Sequence, residues 1–315
     1  MWDWIYVALG LVLLLLAGDA LVRGAVNMSL RLGVPALIVS LTIVAFGTSA
    51  PELLISIQSI FDGVPGLALG NVVGSNTANV LLVLGIPALL AAMHTQDCDT
   101  RSSYLQMLGA TVLFIVLCFM GPFTWTSGLI LLAALTAMLI WAGREASKHR
   151  ANGAGDDDED IEGADPSLGW AKISFFLILG LIGLPLGAKL LVDGSTSIAR
   201  GFGVSETVIG LTLVAVGTSL PELATTVAAA LRRQADVALG NVIGSNMFNL
   251  LGIMGVASLF GMIPVDPDII RFDVWIMLAA TLVLIPFVFF KVNISRLWGA
   301  ILSVAYVTYI IVVLA

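Results

Sequence analysis

One phrase in this chain is written twice. Gly47-Thr48-Ser49-Ala50-Pro51-Glu52 returns as Gly217-Thr218-Ser219-Leu220-Pro221-Glu222, and Gly70-Asn71-Val72-Val73-Gly74-Ser75-Asn76 returns as Gly240-Asn241-Val242-Ile243-Gly244-Ser245-Asn246, both 170 residues on. At that fixed offset, residues 21–85 and 191–255 agree at 26 of 65 positions without a gap. Each copy puts a glutamate inside a long apolar stretch, where an ionised side chain costs several kcal/mol unless something binds it. The fold must therefore accommodate two like units and two buried carboxylates.

Hydrophobic residues make up 59% of the chain and charged residues 11%, against about 25% charged in soluble domains. A membrane-spanning helix needs ~20 mostly apolar residues. Ten stretches qualify, near 2–22, 35–61, 66–93, 104–121, 124–143, 170–192, 204–231, 236–262, 272–291 and 295–314. The expected fold is an all-α integral membrane protein of ten transmembrane helices. Its units are a first half (1–143), a linker (144–169) and a second half (170–315), each half holding five spans. Because five is odd, the second copy enters the membrane from the opposite side, which makes the duplication an inverted repeat.

The loop charges test this arrangement. Arg23, Arg31, Arg101, Arg144, Lys148, Arg150, Lys172, Arg232, Arg233, Lys291 and Arg296 fall on one side, and Arg200 and Arg271 on the other, with Lys189 inside a span end. By the positive-inside rule the linker is cytoplasmic and both termini face outward. No Lys or Arg precedes the first apolar run, which argues against a cleaved signal peptide. The net charge of −7 is local, since seven acids lie between Asp156 and Asp165. That run lacks the ligand and glycine spacing of an EF-hand loop and reads as a solvated linker. Cys98 and Cys118 are too few for a disulfide framework.

The repeated phrase carries the chemistry. Pro51 has no amide hydrogen, so the carbonyl of Gly47 loses its helical partner and the helix kinks or breaks; Gly47 is expected to add backbone freedom. Irregular backbone at membrane depth is tolerated where it lines a cavity or is buried in protein. The break should therefore present carbonyls beside Thr48, Ser49 and Glu52, with Thr48 and Glu52 on one face. Gly70 and Gly74 permit close helix approach, and Ser75 and Asn79 share a face. The second copy supplies Thr218, Ser219, Glu222, Ser245 and Asn249 in matching places. Brought together about a pseudo-twofold axis, these residues make an all-oxygen site suited to a hard cation. Calcium takes six to eight oxygens at ~2.3–2.6 Å, and sodium is nearly its size. Two glutamates balance one Ca²⁺ or two Na⁺. An empty pair of carboxylates repels, so the site changes sides more readily when filled. Asp19, Lys189 and Asp193, near span ends, read as snorkelling or locally paired.

The pair GTSAPE…GNVVGSNTAN and GTSLPE…GNVIGSNMFN resembles the two alpha repeats of the calcium/cation antiporter superfamily, in its sodium/calcium exchanger branch, and the likeness covers essentially the whole chain. The resemblance implies four ion positions lined by the second and third spans of each half. Glu52 and Glu222 would be principal ligands. Thr48 and Thr218 would add backbone or hydroxyl oxygens, with Ser49 and Ser219 beside them. Ser75 and Ser245 would line sodium positions, where Ala45 and Ala215 offer backbone carbonyls, and Asn79 and Asn249 would fall at the centre. The first and sixth spans would slide across this core. Potassium-dependent relatives carry Asp where this chain has Asn249, and the proton-coupled branch usually has Asn in place of Thr48 and Thr218. Both departures favour sodium, with an H⁺/Ca²⁺ or K⁺-dependent antiporter as the alternative.

The expected function is thus Na⁺/Ca²⁺ antiport across the bacterial inner membrane, with lipid and the transported ions as the only implied partners and no cofactor. An intramembrane protease needs a distinct acid and base, which symmetric Pro-Glu breaks do not supply. The only histidines, His94 and His149, sit outside the spans, so a histidine-ligated metal centre is not expected. A ring-like channel would not need an inverted pair, but sequence does not prove coupling, so an uncoupled cation channel stays open as a reading.

Overall fold

The computed structural model describes residues 2–96, 98–151, 165, 167–203 and 215–314. In chain order the helices are α1 (Trp2–Leu32), α2 (Ala36–Thr48), α3 (Ala50–Phe61), α4 (Gly66–Leu90), α5 (Arg101–Phe119) and α6 (Trp125–Ala151), then α7 (Trp170–Gly201), α8 (Ala215–Thr218), α9 (Leu220–Leu231), α10 (Ala235–Phe260), α11 (Ile269–Phe289) and α12 (Arg296–Leu314). Eight of these are long and apolar enough to cross a bilayer, and the α2–α3 pair, bent by 41°, makes a ninth. The expected stretch 204–231 is described from residue 215 on, as α8 and α9; residues 204–214 and most of the acidic run lie outside the described residues.

The first span is longer than its apolar run suggested. With 31 residues, α1 measures about 46 Å at 1.5 Å per residue, well over the ~30 Å hydrocarbon core. Its polar end is accommodated by pairing. Asp19 bridges Arg23 at 3.0 Å one turn on and also pairs with Arg232 after α9. Lys189 and Asp193 pair at 3.2 Å on α7, so local pairing is the observed state of all three residues. Gly33, at φ 64°, then ends the helix, as a left-handed residue commonly does. Beyond it, Asp165 donates its amide to Asn27 Oδ1 at 2.8 Å and Arg31 Nε donates to the Leu168 carbonyl at 2.8 Å, so the end of the linker is strapped to the end of α1.

The repeat is written into the backbone as well as the sequence. Among the described residues six have positive φ, and they form three pairs 170 apart: Gly33 (64°) with Gly203 (77°), Gly63 (77°) with Arg233 (55°), and Gly121 (116°) with Lys291 (53°). Two of the glycines have been replaced, yet the turns persist. The equivalent helices α1 and α7 pack antiparallel. A Cβ at Gly10 would lie 2.6 Å from Leu191 N, one at Gly187 3.0 Å from Leu14 N, and one at Gly180 2.5 Å from Leu21 Cβ, so numbers fall along one helix as they rise along the other. Small residues let these backbones meet. The same relation pairs Gly85 with Gly299 and Gly255 with Gly128, and Met93 with Ile294 and Ile263 with Phe123 in short antiparallel bridges. At the axis itself, Asn246 Nδ2 donates to the carbonyl of its own counterpart, Asn76, at 3.4 Å. The fold is two inverted five-helix repeats. Helices α4 and α10 form its centre, with Ala235–Met247 buried almost throughout.

Candidate functional site

In each half the Pro-Glu break interrupts a span at one serine. Ser49 leaves helical geometry (φ −84°, ψ 4°), and Ser219 does the same (φ −90°, ψ 6°). Pro51 and Pro221 then open α3 and α9, which places Glu52 and Glu222 in the first turn of each helix. The unpaired N–H groups of a helix start favour a negative charge there. The break differs from expectation in one respect. Neither Gly47 nor Gly217 has a positive φ; both sit in helical turns, so backbone freedom is not what glycine supplies. A Cβ at Gly47 would lie 1.9 Å from Leu181 Cδ2, and one at Gly217 2.3 Å from Val192 Cγ2. Glycine is there so that α7 can lie against both breaks.

The halves share their polar groups. Ser49 Oγ donates to Glu222 Oε1 at 3.1 Å. Thr48 Oγ1 lies 3.3 Å from Asn241 Oδ1 and 3.4 Å from Ser245 Oγ, both in the other half, and 3.2 Å from the Ala45 carbonyl. Within each half an asparagine holds the glutamate's own carbonyl: Asn71 Nδ2 to Glu52 O at 3.3 Å, and Asn241 Nδ2 to Glu222 O at 3.2 Å. The same amides reach Ser56 Oγ and Thr226 Oγ1, each at 3.1 Å. Glu52 and Glu222 are fully buried, as are Asn79, Asn249 and Ser245, while Thr48, Ser49, Ser75, Thr218 and Ser219 are 8% exposed or less. Ala215 is the first residue of α8.

Ten of the twelve buried side-chain nitrogens and oxygens without a hydrogen-bond partner among the described residues belong to Glu52, Glu222, Ser219, Asn76, Asn79, Asn246 and Asn249. Both carboxylate oxygens of Glu52 are in that set, with both amide atoms of Asn79 and Asn249. Buried polar groups are otherwise satisfied in folded proteins, and an unpaired buried carboxylate is costly. The donor set is oxygen-rich and fits a hard cation. Among the described residues no three His, Cys, Asp or Glu side chains cluster as a metal site, consistent with two carboxylates completed by hydroxyls and amides. Hydrogen-bond contacts join Thr48, Ser49, Glu222, Ser245 and Ala45 directly; Glu52 lies close enough for its charge to act on that of Glu222. Ser75 and Asn79 on α4, and Asn249 on α10, are placed by their helices alone. Asn249 lies in a π-helical stretch, Phe248–Ile253, a distortion frequent at functional sites.

Four residues with a part in this arrangement were not among the sequence candidates: Asn71, Asn241, Asn76 and Asn246. All four stand inside the repeated phrase, and Asn71 and Asn241 fall one turn before Ser75 and Ser245, which was the available signal. An open, mostly apolar cleft of about 560 Å³ between α5, α6 and α10 contains no carboxylate and is a separate feature.

Apolar spans in inverted halves around buried carboxylates define a polytopic transporter. The sodium/calcium exchanger protein family matches residues 2–143 and 172–315, and this chain belongs to that family. It is 35% identical to the putative antiporter CaxA of Alkalimonas amylolytica over 97% of this chain and 96% of that protein. It is also 35% identical to the sodium/calcium exchanger MaX1 of Methanosarcina acetivorans, over 98% of each. The structure of the sodium-calcium exchanger NCX_Mj soaked with zero Na⁺ and Ca²⁺ superposes with a TM-score of 0.83 at 32% identity, covering 99% of this chain and 98% of that one.

Proposed function

We propose that this protein exchanges Na⁺ for Ca²⁺ by alternating access and extrudes calcium across the inner membrane of a prokaryotic cell. The observation that carries the reading is the pair of fully buried glutamates, one at each inverted break, with Ser49 of one half bonded to Glu222 of the other. Neither half holds a whole site. Glu52 and Glu222 are the principal ligands. Thr48, Thr218, Ser49, Ser219, Ser75, Ser245, Asn79 and Asn249 complete the oxygen set, with the carbonyls of Ala45 and Ala215. Two carboxylates neutralise one Ca²⁺ or two Na⁺, so a third Na⁺ per Ca²⁺ makes the cycle move net charge. The first and sixth spans, α1 and α7, slide as a pair across the core. Residues 144–169 join the halves on the cytoplasmic side and both termini face outward, as the loop charges require. The ions are cargo; the reading assigns no enzymatic step and no cofactor.

The test is reconstitution into liposomes, following labelled calcium under imposed Na⁺, H⁺ or K⁺ gradients. Uptake is expected only with outward Na⁺, and faster when valinomycin and K⁺ relieve the charge moved. Uptake driven by protons alone would overturn the sodium assignment, and uptake without any counter-gradient would mean a channel. Glu52→Gln and Glu222→Gln should each abolish exchange in protein that still folds and melts normally; transport retained in both would return the carboxylates to structural glue.

A further inference from the structure

Asn241 makes three bonds that ion ligation does not use. Its Nδ2 donates to the Glu222 carbonyl at 3.2 Å and to Thr226 Oγ1 at 3.1 Å, and its Oδ1 faces Thr48 Oγ1 at 3.3 Å. It is fully buried. One amide thus ties the glutamate helix of the second half to the break of the first.

Thr48 has a single hydroxyl proton and three acceptors in reach, the Ala45 carbonyl at 3.2 Å, Asn241 Oδ1 at 3.3 Å and Ser245 Oγ at 3.4 Å, with the Glu222 carboxylate beside it as a fourth. The Ala45 carbonyl has two lone pairs, and the Ser49 amide takes one of them at 3.0 Å. While Thr48 donates to the other, the carbonyl has nothing left for a cation. It is released only when the proton turns to Asn241, Ser245 or Glu222. Ser245 Oγ and the Glu222 carboxylate are themselves ligands in the proposed site, and their lone pairs are needed by the ion. That leaves Asn241 Oδ1.

We infer that Asn241 is a positioning residue of the exchange site, which takes the Thr48 proton so that the Ala45 carbonyl and the Thr48 oxygen can both face a sodium ion. The two Nδ2 bonds hold the amide the right way round. Flipped, it would offer Thr48 a donor and set its oxygen against the Glu222 carbonyl. The inference rests on the ligand roles proposed above for Ala45, Thr48 and Ser245.

The experiment measures KM for Na⁺ and for Ca²⁺ in proteoliposomes for Asn241→Ala, Thr48→Val and the double variant, with melting temperatures in detergent. Losing one buried hydrogen bond should raise KM for Na⁺ about five- to tenfold in Asn241→Ala, with the Ca²⁺ value held within about twofold. In the Thr48→Val background, where there is no proton to park, Asn241→Ala should add no further change in either constant. Asn241→Asp keeps the acceptor toward Thr48, and its second oxygen, protonated, donates to the Glu222 carbonyl in place of Nδ2, so KM for Na⁺ should be no higher than wild type. An unchanged Na⁺ constant in Asn241→Ala overturns the inference. So do an equal shift in both backgrounds, both constants rising together with a lowered melt, or Asn241→Asp behaving like Asn241→Ala. Failure of the wild-type protein to couple calcium to sodium would be seen first, and would refute the transport reading instead.

Discussion

A methyl group at Gly244 tests whether helix approach sets the site. A Cβ there would lie 2.5 Å from the Leu41 carbonyl oxygen and 2.6 Å from Ala45 Cβ, where ordinary contact begins at 3.4 Å. The difference between 2.5 and 3.4 Å means α10 and α2 must part by about 0.9 Å. Neither neighbour can swing away, since one is backbone and the other a methyl fixed to it. Overpacking of this kind costs about 1–3 kcal/mol. The displaced pieces belong to the site on both sides. Leu41 lies in the π-helical turn Ser40–Val44 that feeds Ala45–Thr48, and Gly244 stands next to Ser245. The Thr48 contacts to Asn241 and Ser245, now 3.3 and 3.4 Å, would open to about 4 Å, past hydrogen-bond reach. Functional constellations must be held within ~0.5 Å, so ion affinity should fall along with stability.

The assay pairs Na⁺-dependent calcium uptake with a melting curve for Gly244→Ala. The expected result is a lower melting temperature and a KM for Na⁺ raised by about tenfold or more, as ~1 Å misplacements produce elsewhere. Gly109→Ala is the control, because a Cβ there meets nothing within 4 Å among the described residues; it should match wild type in both measurements. An unchanged melt in Gly244→Ala would refute the packing argument. A lowered melt with unchanged ion constants would refute the link from helix contact to ligand geometry.

Two further outcomes follow from particular residues. Arg233 holds the left-handed turn that Gly63 holds in the other half, at φ 55°, a conformation costing a side chain about 1–2 kcal/mol; Arg233→Gly should raise the melting temperature by a few degrees and leave transport intact, and a lower melt would show that the guanidinium's contacts outweigh the strain. Ser49→Ala removes the hydroxyl bonded to Glu222 Oε1, and loss of a hydrogen bond to a charged group, about 1.5–3 kcal/mol, should weaken calcium by tenfold or more in a binding titration; unchanged affinity would mean that Ser49 only fills space.

The parts of this molecule legible in the sequence are those whose physics is local. A proline that removes an amide hydrogen, a glutamate amid apolar neighbours and a phrase recurring at fixed spacing each declare themselves without a partner, and the inverted five-helix plan followed from them. What escaped required knowing the other half. Gly47 read as a flexible joint because nothing near it in sequence names Leu181, 134 positions on, which needs the space. Asn241 looked like part of a glycine-rich packing phrase, since its acceptor role toward Thr48 exists only once the second copy is inverted onto the first. The length of α1 was underestimated because Asp19 and Arg23 end an apolar run on paper, whereas pairing with each other and with Arg232 lets them stay in the helix.

The pattern of what diverged says why the duplication persists. At matched positions Asp19 and Arg23 of one half correspond to Lys189 and Asp193 of the other, the same i, i+4 ion pair with its signs exchanged. Gly63 and Gly121 have become Arg233 and Lys291 with the turn retained. Such changes are tolerated because the i, i+4 partner changes with the residue and the turns keep their backbone conformation. The residues at the axis have no such freedom. Ser49 serves Glu222 and Thr48 meets Asn241 and Ser245, so a change in one copy is felt by a ligand in the other, and one half alone contributes a single carboxylate. Drift therefore spares the polar residues that meet across the axis, and the phrase survives in both copies because each is read by its opposite.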